Sequence, residues 1–458
     1  MNSTIKPNNY KSDISNIFYP KSIAIIGTSD RLGSIGRTIS ENLSSYQGSI
    51  YFINPRLSGC KLFRKDIYKS ILSLPESVDL CFIAVATKII ISVVEEVAKT
   101  KCKNIVMVTS GFSEIGKDKL TSDLKLILEQ NNINLIGPNC LGVLNLENNL
   151  NGTFHSKDKL TSLISGNVSI ISQSGALGIA ILDLASYHGL RLNKFVSYGN
   201  ALILDECDLL NYLGTDKKTD VILVYLEGLK NGRKFIDTLT KVSLTKKVII
   251  LKGGISKFGA NAAKSHTASI AGDNIVFSSV IKQAGAYQVN SISEMFNLAK
   301  VFSNYKTKVN NIQIITNGGG LGVLTSDQLD INNINLADMS SESINKIKRI
   351  VPEYAIVKNP IDLTGDATTE RFIETIKICL CDKKIESIVL LLLFQLPSLT
   401  KDIVEKLEEL KRTTIKPIFV VSIGGTQTKE FTNSLENSGI VCFSDPKYFA
   451  DSFKKLTL

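Results

Sequence analysis

Three residues in the middle of the chain have the types that a phosphoryl-transfer site needs. His266 stands in the small-residue run GANAAKSHTASIAG (259–272), Glu227 ends the apolar run VILVYLE, and Ser174 opens a helical pattern after NVSIIS. A neutral imidazole is a good nucleophile toward phosphorus, and a nearby carboxylate can fix its tautomer and stabilise positive charge on the ring. A helix N-terminus favours an oxyanion such as phosphate. Together these residues indicate a site that passes a phosphoryl group through His266.

Each of these residues could also have a role that involves no catalysis. A single loop histidine is commonly a solvated bystander, and an acid at a strand end commonly has a structural role. The strands before Glu227 and His266 are expected to be neighbours, however, because strands separated by one crossover commonly pair. Glu227 and the loop of His266 would then share one edge, facing the helix end at Ser174. This shared placement favours function, with His266 on a flexible loop that moves between two sites. The other two histidines receive no catalytic role: His188 fits a helix C-terminus, and His155 lies in an interdomain segment.

The elements that must position these residues follow an alternating pattern. Short β-branched runs alternate with amphipathic helical patterns from end to end, which predicts an α/β fold with parallel sheets. The strand candidates form three groups, of which the last includes a strand at 334–339. Polar segments separate the groups, so we expect three domains, at 1–148, 149–304 and 305–458. In open parallel sheets, ligands bind at the carboxyl ends of the strands.

The first domain has a glycine-rich turn after its first strand, in GTSDRLGSIGRTI. Gly27, Gly33 and Gly36 would let the backbone approach a phosphate at the following helix N-terminus. The second strand ends in INPR, without the acid that usually holds the ribose of a dinucleotide. A nicotinamide-dependent oxidoreductase is therefore disfavoured. The long rim from SGFSEIG and GPNCLGVLN suits an adenine nucleotide with an extended tail, although glycines that only pack helix on strand would look the same.

Composition narrows the class of protein further. The 458 residues are 43% hydrophobic and 21% charged, and no run approaches the ~18–20 apolar residues of a membrane span. The net charge is +10, but there is no long basic block and only 7% aromatic residues, which disfavours nucleic-acid binding. The eight cysteines form no CxxC pair, so neither a disulfide framework nor a metal site is expected. The polar N-terminus lacks a signal-peptide core, and we expect a cytoplasmic protein.

Several long motifs, in order along essentially the whole chain, resemble a known family. They include FYPKSIAIIGTS, SGFSEIG, GPNCLGVLN, ISQSGALG, YLEG, GANAAKSHTAS, TNGGGLGVLTSD and NPIDLTGDA. The chain is similar to the α subunit of ADP-forming acetyl-CoA (acyl-CoA) synthetase, an acid–thiol ligase related to succinyl-CoA synthetase. The resemblance implies a Rossmann-like domain that binds coenzyme A, followed by two flavodoxin-like parallel-sheet domains.

The resemblance also implies roles for particular residues. His266 would be the phosphohistidine, with Glu227 as its supporting carboxylate. An acyl phosphate would form first, and its phosphoryl group would pass to His266 and then to ADP. Contacts to coenzyme A are implied for Gly27, Thr28, Ser29, Asn54, Pro55, Ser110, Gly111 and Asn139. Contacts to phosphate or the acyl group are implied for Ser174, Gly175, Ala176, Gly199 and Asn200.

The family pattern leaves one component to another chain. No ATP-grasp domain is recognisable, so a separate ATP-grasp β subunit would bind ATP or ADP with Mg, and a hetero-oligomer is expected. The substrates would be a small carboxylate and phosphate, with neither nucleic acid nor membrane as a partner. Ala86 and Thr87 stand where the family commonly has a proline after the third strand. The alternative is a regulatory subunit that binds coenzyme A or acyl-CoA without catalysis.

Overall fold

A computed structural model describes the backbone of residues 13–156, 163–267 and 274–457, and their side chains except at 264–267. The chain divides into two compact units, Met1–Ile292 and Ser293–Leu458. The described residues of the first unit contain two sheets, and those of the second contain one.

The first sheet has seven strands in the order β3-β4-β2-β1-β5-β6-β7, all paired in parallel except the β3–β4 hairpin. Its central strands are buried along their whole length, as expected for a parallel sheet covered on both faces. The strands are β1 Ser22–Ile26, β2 Ser49–Ile53, β3 Lys61–Leu62, β4 Lys65–Tyr68, β5 Leu80–Ile83, β6 Asn104–Met107 and β7 Asn134–Ile136. The helices are α1 Ser15–Phe18, α2 Ile35–Leu43, α3 Ile90–Ala98 and α4 Asp118–Gln130, with 3₁₀ turns at Ile71–Ser73, Thr87–Ile89 and Ser113–Ile115.

The second sheet also has seven strands, in the order β14-β13-β12-β10-β11-β8-β9. The strands from β14 to β11 are parallel, whereas β8 runs antiparallel to both β11 and β9. The strands are β8 Gly142–Asn145, β9 Leu150–Thr153, β10 Ser165–Ser172, β11 Leu192–Ser197, β12 Val221–Leu226, β13 Lys247–Lys252 and β14 Tyr287–Val289. The helices are α5 Gly175–Tyr187, α6 Glu206–Thr215, α7 Gly232–Ser243, α8 Lys257–Thr267 and α9 Asn274–Gln283.

The third sheet has six strands in the order β16-β17-β15-β18-β19-β20, with only β16 antiparallel. Its strands are β15 Ile312–Thr316, β16 Ile356–Val357, β17 Ile361–Asp362, β18 Ser387–Leu391, β19 Ile418–Val421 and β20 Val441–Phe443. The helices are α10 Ile292–Asn304, α11 Gly319–Ile331, α12 Ser341–Lys348, α13 Thr369–Cys381, α14 Ile403–Thr413, α15 Thr426–Asn437 and α16 Pro446–Thr457. The side chains around β15, β17 and β18 pack into an apolar core of this unit's own.

The predicted α/β class is confirmed, but two local expectations need correction. Residues 334–339 form no regular strand, and only an isolated bridge joins Leu336 to Ile312. Here Leu336 is half-exposed, so the segment cannot bury both faces as a central strand does. The hairpins β3–β4 and β8–β9 were not anticipated. The boundary predicted at residue 148 falls between β8 and β9, and the three domain boundaries remain a prediction.

Candidate functional site

The second sheet brings three candidate elements to one edge. Strand β12 pairs with β10 on one side and with β13 on the other, in parallel. The carboxyl ends of the three strands therefore lie side by side, and they lead into Ser174, Glu227 and helix α8. One crossover, through α7, joins β12 to its neighbour β13. Between β10 and β12 the chain first forms β11, which lies on the other side of β10.

Glu227 is held firmly at this edge, with only 7% of its surface exposed. The side-chain oxygen of Gln173 accepts hydrogen bonds from the backbone N–H groups of Glu227 (2.7 Å) and Gly228 (3.3 Å). The hydroxyl of Tyr225 donates to Oε1 of Glu227 at 3.1 Å. Burial beside this carboxylate raises the pKa of Tyr225, so the phenol remains a donor.

A buried cation lies on the other side of Glu227. The Lys252 ammonium group, at the end of β13, donates to the backbone carbonyls of Glu227 (2.7 Å) and Gly253 (2.6 Å). Burial lowers the pKa of Lys252, although the Glu227 charge partly opposes this. The strand ends are thus tied to one another by polar contacts, which is how a buried polar edge avoids an unpaired charge.

Helix α5 presents its N-terminus to the same edge. Ser174 is its N-cap, and its hydroxyl accepts a hydrogen bond from Leu177 N at 3.3 Å. The hydroxyl of Ser172 in turn donates to the Ser174 carbonyl at 2.6 Å. Gly175 and Ala176 follow in the first turn, where Ala176 is exposed. The partial positive charge at this end of a 13-residue helix suits an anion.

His266 lies in the last turn of a helix rather than in the loop that its small neighbours predict. Helix α8 runs from Lys257 to Thr267, and its start is capped by Ser256, whose hydroxyl accepts from Gly259 N at 3.1 Å. Alanines follow Gly259, and alanine is the strongest helix former, so side-chain size was a poor guide here. The side chain of His266 and residues 268–273 lie outside the part that the structure describes.

The glycine-rich turn of the first sheet brings strand and helix into close contact. A Cβ atom at Gly36 would lie 1.9 Å from the backbone oxygen of Gly27, and one at Gly27 would lie 2.4 Å from the backbone oxygen of Ala84. Gly27 also has a positive φ of 98°. Both positions therefore require glycine, and they allow α2 to begin directly against the end of β1.

The neighbouring candidates at this edge are linked to the turn. The hydroxyl of Thr28 is fully buried, 2.6 Å from the hydroxyl of Ser40, while the Ser29 hydroxyl accepts from Arg31 N at 3.1 Å. The side-chain amide of Asn54 donates to the Thr28 carbonyl at 2.7 Å, and Pro55 follows it. Asn54 thus fixes the turn where a dinucleotide-binding protein commonly has an acid.

This turn has the features that a phosphate-bearing cofactor requires. Ser34, the residue before α2, makes no side-chain cap hydrogen bond, so its hydroxyl does not occupy the helix N-terminus. Within the described ranges, Nε of Arg37 is buried without a hydrogen-bond partner, and its guanidinium lies 4.4 Å from the centre of the Phe63 ring. Amide groups at a helix start and a nearby guanidinium suit a diphosphate. These residues therefore fit coenzyme A.

Two groups of candidate residues meet at Asn139 and Asn200. The coenzyme A rim is formed by the candidates of the first sheet, including Gly111 and Asn139, and the acyl rim by the candidates of the second sheet, including Gly199 and Asn200. The amide nitrogen of Asn139 donates to Oδ1 of Asn200 at 3.3 Å, and Nδ2 of Asn200 donates to the Glu114 carboxylate at 2.6 Å. Gly199 has a positive φ of 55°, and a Cβ there would lie 2.3 Å from the Asn139 backbone oxygen. Residues assigned from the sequence to two different ligands are thus in direct contact with each other.

Three polar contacts on this rim were not predicted from the sequence. Glu114 accepts from Gly111 N at 2.5 Å as well as from Asn200, although it lies 86 residues from Asn200 in the chain. Thr87, in the 3₁₀ turn that follows β5, donates from its hydroxyl to the Ser110 carbonyl at 2.7 Å. Nothing in the sequence pointed to the pairing of Glu114 with Asn200.

Two wider properties concern the described part of the chain. It contains no helix with the length and apolar character that a bilayer crossing demands. Nor does it contain a group of three or more His, Cys, Asp or Glu side chains arranged to hold a metal ion.

Three known family models match successive segments of this chain. Residues 21–145 match the family model described as CoA binding domain, residues 165–302 match the succinyl-CoA ligase like flavodoxin domain, and residues 312–449 match the ligase-CoA domain. The fold and these matches define a coenzyme-A-ligase type of α/β protein.

Two proteins that match this chain over almost its whole length identify the family more closely. The chain is 34% identical over 444 residues to "Acetate--CoA ligase [ADP-forming] II subunit alpha" of Pyrococcus furiosus, covering 94% of each chain. It superposes on "dinucleotide forming Acetyl-coenzyme A synthetase 1" of Ca. Korarchaeum cryptofilum, solved in complex with phosphate and ADP, with a TM-score of 0.90. That pair shares 32% identity over 97% of this chain and 96% of the other. The chain therefore belongs to the family of ADP-forming acetate–CoA ligase α subunits.

Some relatives are longer than this chain. It is 36% identical over 432 residues to "Acetate--CoA ligase [ADP-forming] I" of Archaeoglobus fulgidus, covering 94% of this chain but 61% of that protein. It is 41% identical over 359 residues to "Acetate--CoA ligase [ADP-forming]" of Methanocaldococcus jannaschii, covering 78% of this chain and 50% of the other.

Proposed function

We propose that this chain is the α subunit of an ADP-forming acetyl-CoA or acyl-CoA synthetase that works through a phosphohistidine. The observation that carries the proposal is the adjacency of β10, β12 and β13, whose ends lead to Ser174, Glu227 and the helix of His266. The overall reaction converts acyl-CoA, ADP and phosphate into a carboxylate, coenzyme A and ATP. Acetate is the expected acyl group, as in the names of the relatives.

The reaction proceeds in three balanced steps. A phosphate oxygen attacks the thioester carbonyl, the carbon–sulfur bond breaks, and coenzyme A leaves as the thiol with an acyl phosphate as the other product. A nitrogen of His266 then attacks phosphorus, and the carboxylate leaves as the phosphorus–oxygen bond breaks. Finally the phosphoryl group passes from His266 to the terminal phosphate of ADP, which frees the imidazole.

In this proposal, residues of this chain bind the reactants and stabilise the charges that form during phosphoryl transfer. Glu227 stabilises positive charge on the phosphorylated imidazole, and the N-terminus of α5 at Ser174, Gly175 and Ala176 holds the phosphoryl oxygens. Gly199 and Asn200 complete the acyl side. Coenzyme A binds at eight residues near the carboxyl ends of the strands in the first sheet. They are Gly27, Thr28, Ser29, Asn54, Pro55, Ser110, Gly111 and Asn139.

A second chain completes the enzyme in this proposal. It contributes an ATP-grasp fold that binds ATP or ADP with Mg, and the two form a hetero-oligomer. Relatives named "subunit alpha", and relatives that are longer than this chain, support this division. All eight cysteines are unpaired, which suits a reducing cytoplasm.

Phosphate labelling tests the proposal directly. With an ATP-grasp partner chain and ATP labelled at the γ-phosphate, the wild-type chain acquires a label that is labile in acid and stable in base. His266→Asn loses the label, because no nucleophile remains, and Glu227→Gln slows labelling by roughly 10–100-fold, as expected for the loss of an electrostatic partner.

His188→Asn is the matched control, since His188 lies at the far end of α5. It keeps the label at the wild-type level. Full labelling of His266→Asn would disprove the phosphohistidine. Binding of coenzyme A by calorimetry with no label at all would favour the regulatory subunit.

A further inference from the structure

The Glu114 carboxylate stands between the two candidate rims. It belongs to the short 3₁₀ turn Ser113–Ile115 that follows β6, and both of its oxygens are used. One accepts the backbone N–H of Gly111 at 2.5 Å, and the other accepts Nδ2 of Asn200 at 2.6 Å. Gly111 belongs to the proposed coenzyme A rim and Asn200 to the proposed acyl rim, so one carboxylate joins both.

Asn200 has little freedom to move. Its Oδ1 accepts from Asn139 at 3.3 Å, its backbone N–H donates to the Pro138 carbonyl at 3.0 Å, and its own carbonyl accepts from Nζ of Lys230 at 2.9 Å. With Glu114, four partners hold this one residue. Its side-chain amide is therefore engaged by protein groups, and any rotation would break two hydrogen bonds at once.

The charge on Glu114 determines the direction of these contacts. Burial by itself raises the pKa of this carboxyl, but the hydrogen bonds from backbone N–H groups, including that of Gly111, and from Asn200 outweigh it and hold the pKa below its usual value. An ionised carboxylate only accepts hydrogen bonds. Both neighbours must therefore turn donors toward Glu114, and this leaves Oδ1 of Asn200 as the acceptor for Asn139.

We propose that Glu114 is a positioning residue that couples the coenzyme A rim at Gly111 to the acyl and phosphate rim at Asn200. The inference rests on the proposed function, because it assigns the two rims to the two reactants of the first step. The thioester carbon must meet a phosphate oxygen at the junction of these rims. Small errors in such an alignment reduce rate strongly, so a shared anchor for both rims is what the step requires. Glu114 acts through Gly111 and Asn200 and takes part in no bond change.

An exchange of donor and acceptor tests the coupling. Glu114→Gln offers one acceptor to two donors, so one contact is lost, and Asn200→Asp places two carboxylates face to face. The double variant restores the match, because the amide introduced at 114 can accept from Gly111 and donate to the carboxylate introduced at 200. That carboxylate still accepts from Asn139.

We expect each single variant to lower kcat for acyl phosphate formation from acetyl-CoA and phosphate by roughly tenfold. For Glu114→Gln, KM for acetyl-CoA should change less than about threefold, since Glu114 itself contacts neither reactant. The double variant should recover most of the lost kcat. Glu76→Gln is the matched control, because Glu76 accepts a hydrogen bond from Tyr51 at 2.6 Å, away from both rims, and it should retain wild-type kinetics.

The outcomes separate this inference from the proposed function. Should the wild-type chain with its partner neither bind coenzyme A nor form the phosphorylated chain, the proposed function fails and the inference fails with it. Should the wild type be active while Glu114→Gln matches its kcat, only the coupling role is overturned. A double variant no better than the single variants would also overturn it, since the restored hydrogen bond between positions 114 and 200 predicts recovery.

Discussion

The carboxyl group of Glu206 lies in the first turn of α6, with 3% of its residue surface exposed. Burial raises its pKa from 4.5 to about 7; Asp205 also raises it, while Lys234 and Lys230 oppose the rise. Lys234 is itself engaged by Asp205 at 2.6 Å and Asp208 at 3.2 Å. Glu206 also lies within electrostatic range of the buried Tyr198 hydroxyl, which has no hydrogen-bond partner among the described residues. Glu206 therefore keeps its proton up to a pH of about 7, whereas an exposed glutamate loses its proton at a lower pH.

This burial predicts a loss of stability as the pH rises. The folded-state pKa lies above the unfolded value, so the folded chain binds more protons between the two values. The contribution is complete below pH 4.5 and is lost as the pH passes through about 7. It amounts to about 3 kcal/mol at 1.36 kcal/mol per pKa unit. Urea unfolding at pH 5.5 and 8.5 should show a steeper decline for the wild type than for Glu206→Gln, and equal declines would contradict the assignment.

At the scale of elements, the contact between β1 and α2 depends on Gly36. A methyl group at this position meets the Gly27 backbone oxygen rather than a flexible side chain, so the helix itself must shift. In the second sheet, the proposed phosphohistidine site depends on strand order. Its residues come together only because β10, β12 and β13 are neighbours.

We expect Gly36→Ala to lower the free energy of unfolding by about 1–3 kcal/mol, the usual cost of overpacking, and to weaken coenzyme A binding. Gly232→Ala is the control, because Gly232 begins α7 and a Cβ there meets nothing within 4 Å. It should be neutral or slightly stabilising, since alanine restricts the unfolded chain more than glycine does. Chemical denaturation and calorimetry with coenzyme A measure both effects. Equal stability of the two variants would argue against the close contact.

At the scale of the whole molecule, the chain consists of two compact units, Met1–Ile292 and Ser293–Leu458. The second unit has its own apolar core around the third sheet. The proposed coenzyme A residues all lie in the first unit. Because a ligand stabilises the part of the protein that binds it, coenzyme A should act on one unit only.

Differential scanning calorimetry of the full chain should therefore resolve two transitions. Saturating coenzyme A at 100 times its dissociation constant should raise one of them, through a stabilisation of about 2.7 kcal/mol, and leave the other unchanged. A single transition that moves as a whole would show that the units unfold together. In that case the division into compact units would have no thermodynamic counterpart.

Several features could be predicted from the sequence because their causes are local. The apolar β-branched runs of β1, β12 and β18 predicted buried parallel strands, and the glycine spacing at Gly27 and Gly36 indicated a close strand–helix turn. Long ordered motifs also indicated the family. Helix α8 was missed because a run of small residues suits a flexible loop and an alanine-rich helix equally well.

The remaining features depend on tertiary structure. The contact of Glu114 with Asn200 joins residues 86 positions apart, and Asn139 meets Asn200 across 61 positions. No periodicity relates such residues, since only the stacking of one sheet's rim against another decides which side chains meet. For the same reason the burial that raises the pKa of Glu206 is invisible in the sequence DECD, where the residue is one acid among three. The sequence by itself determined the strands, the turns and the chemical types at their ends, whereas the packing of the sheets decided their partners.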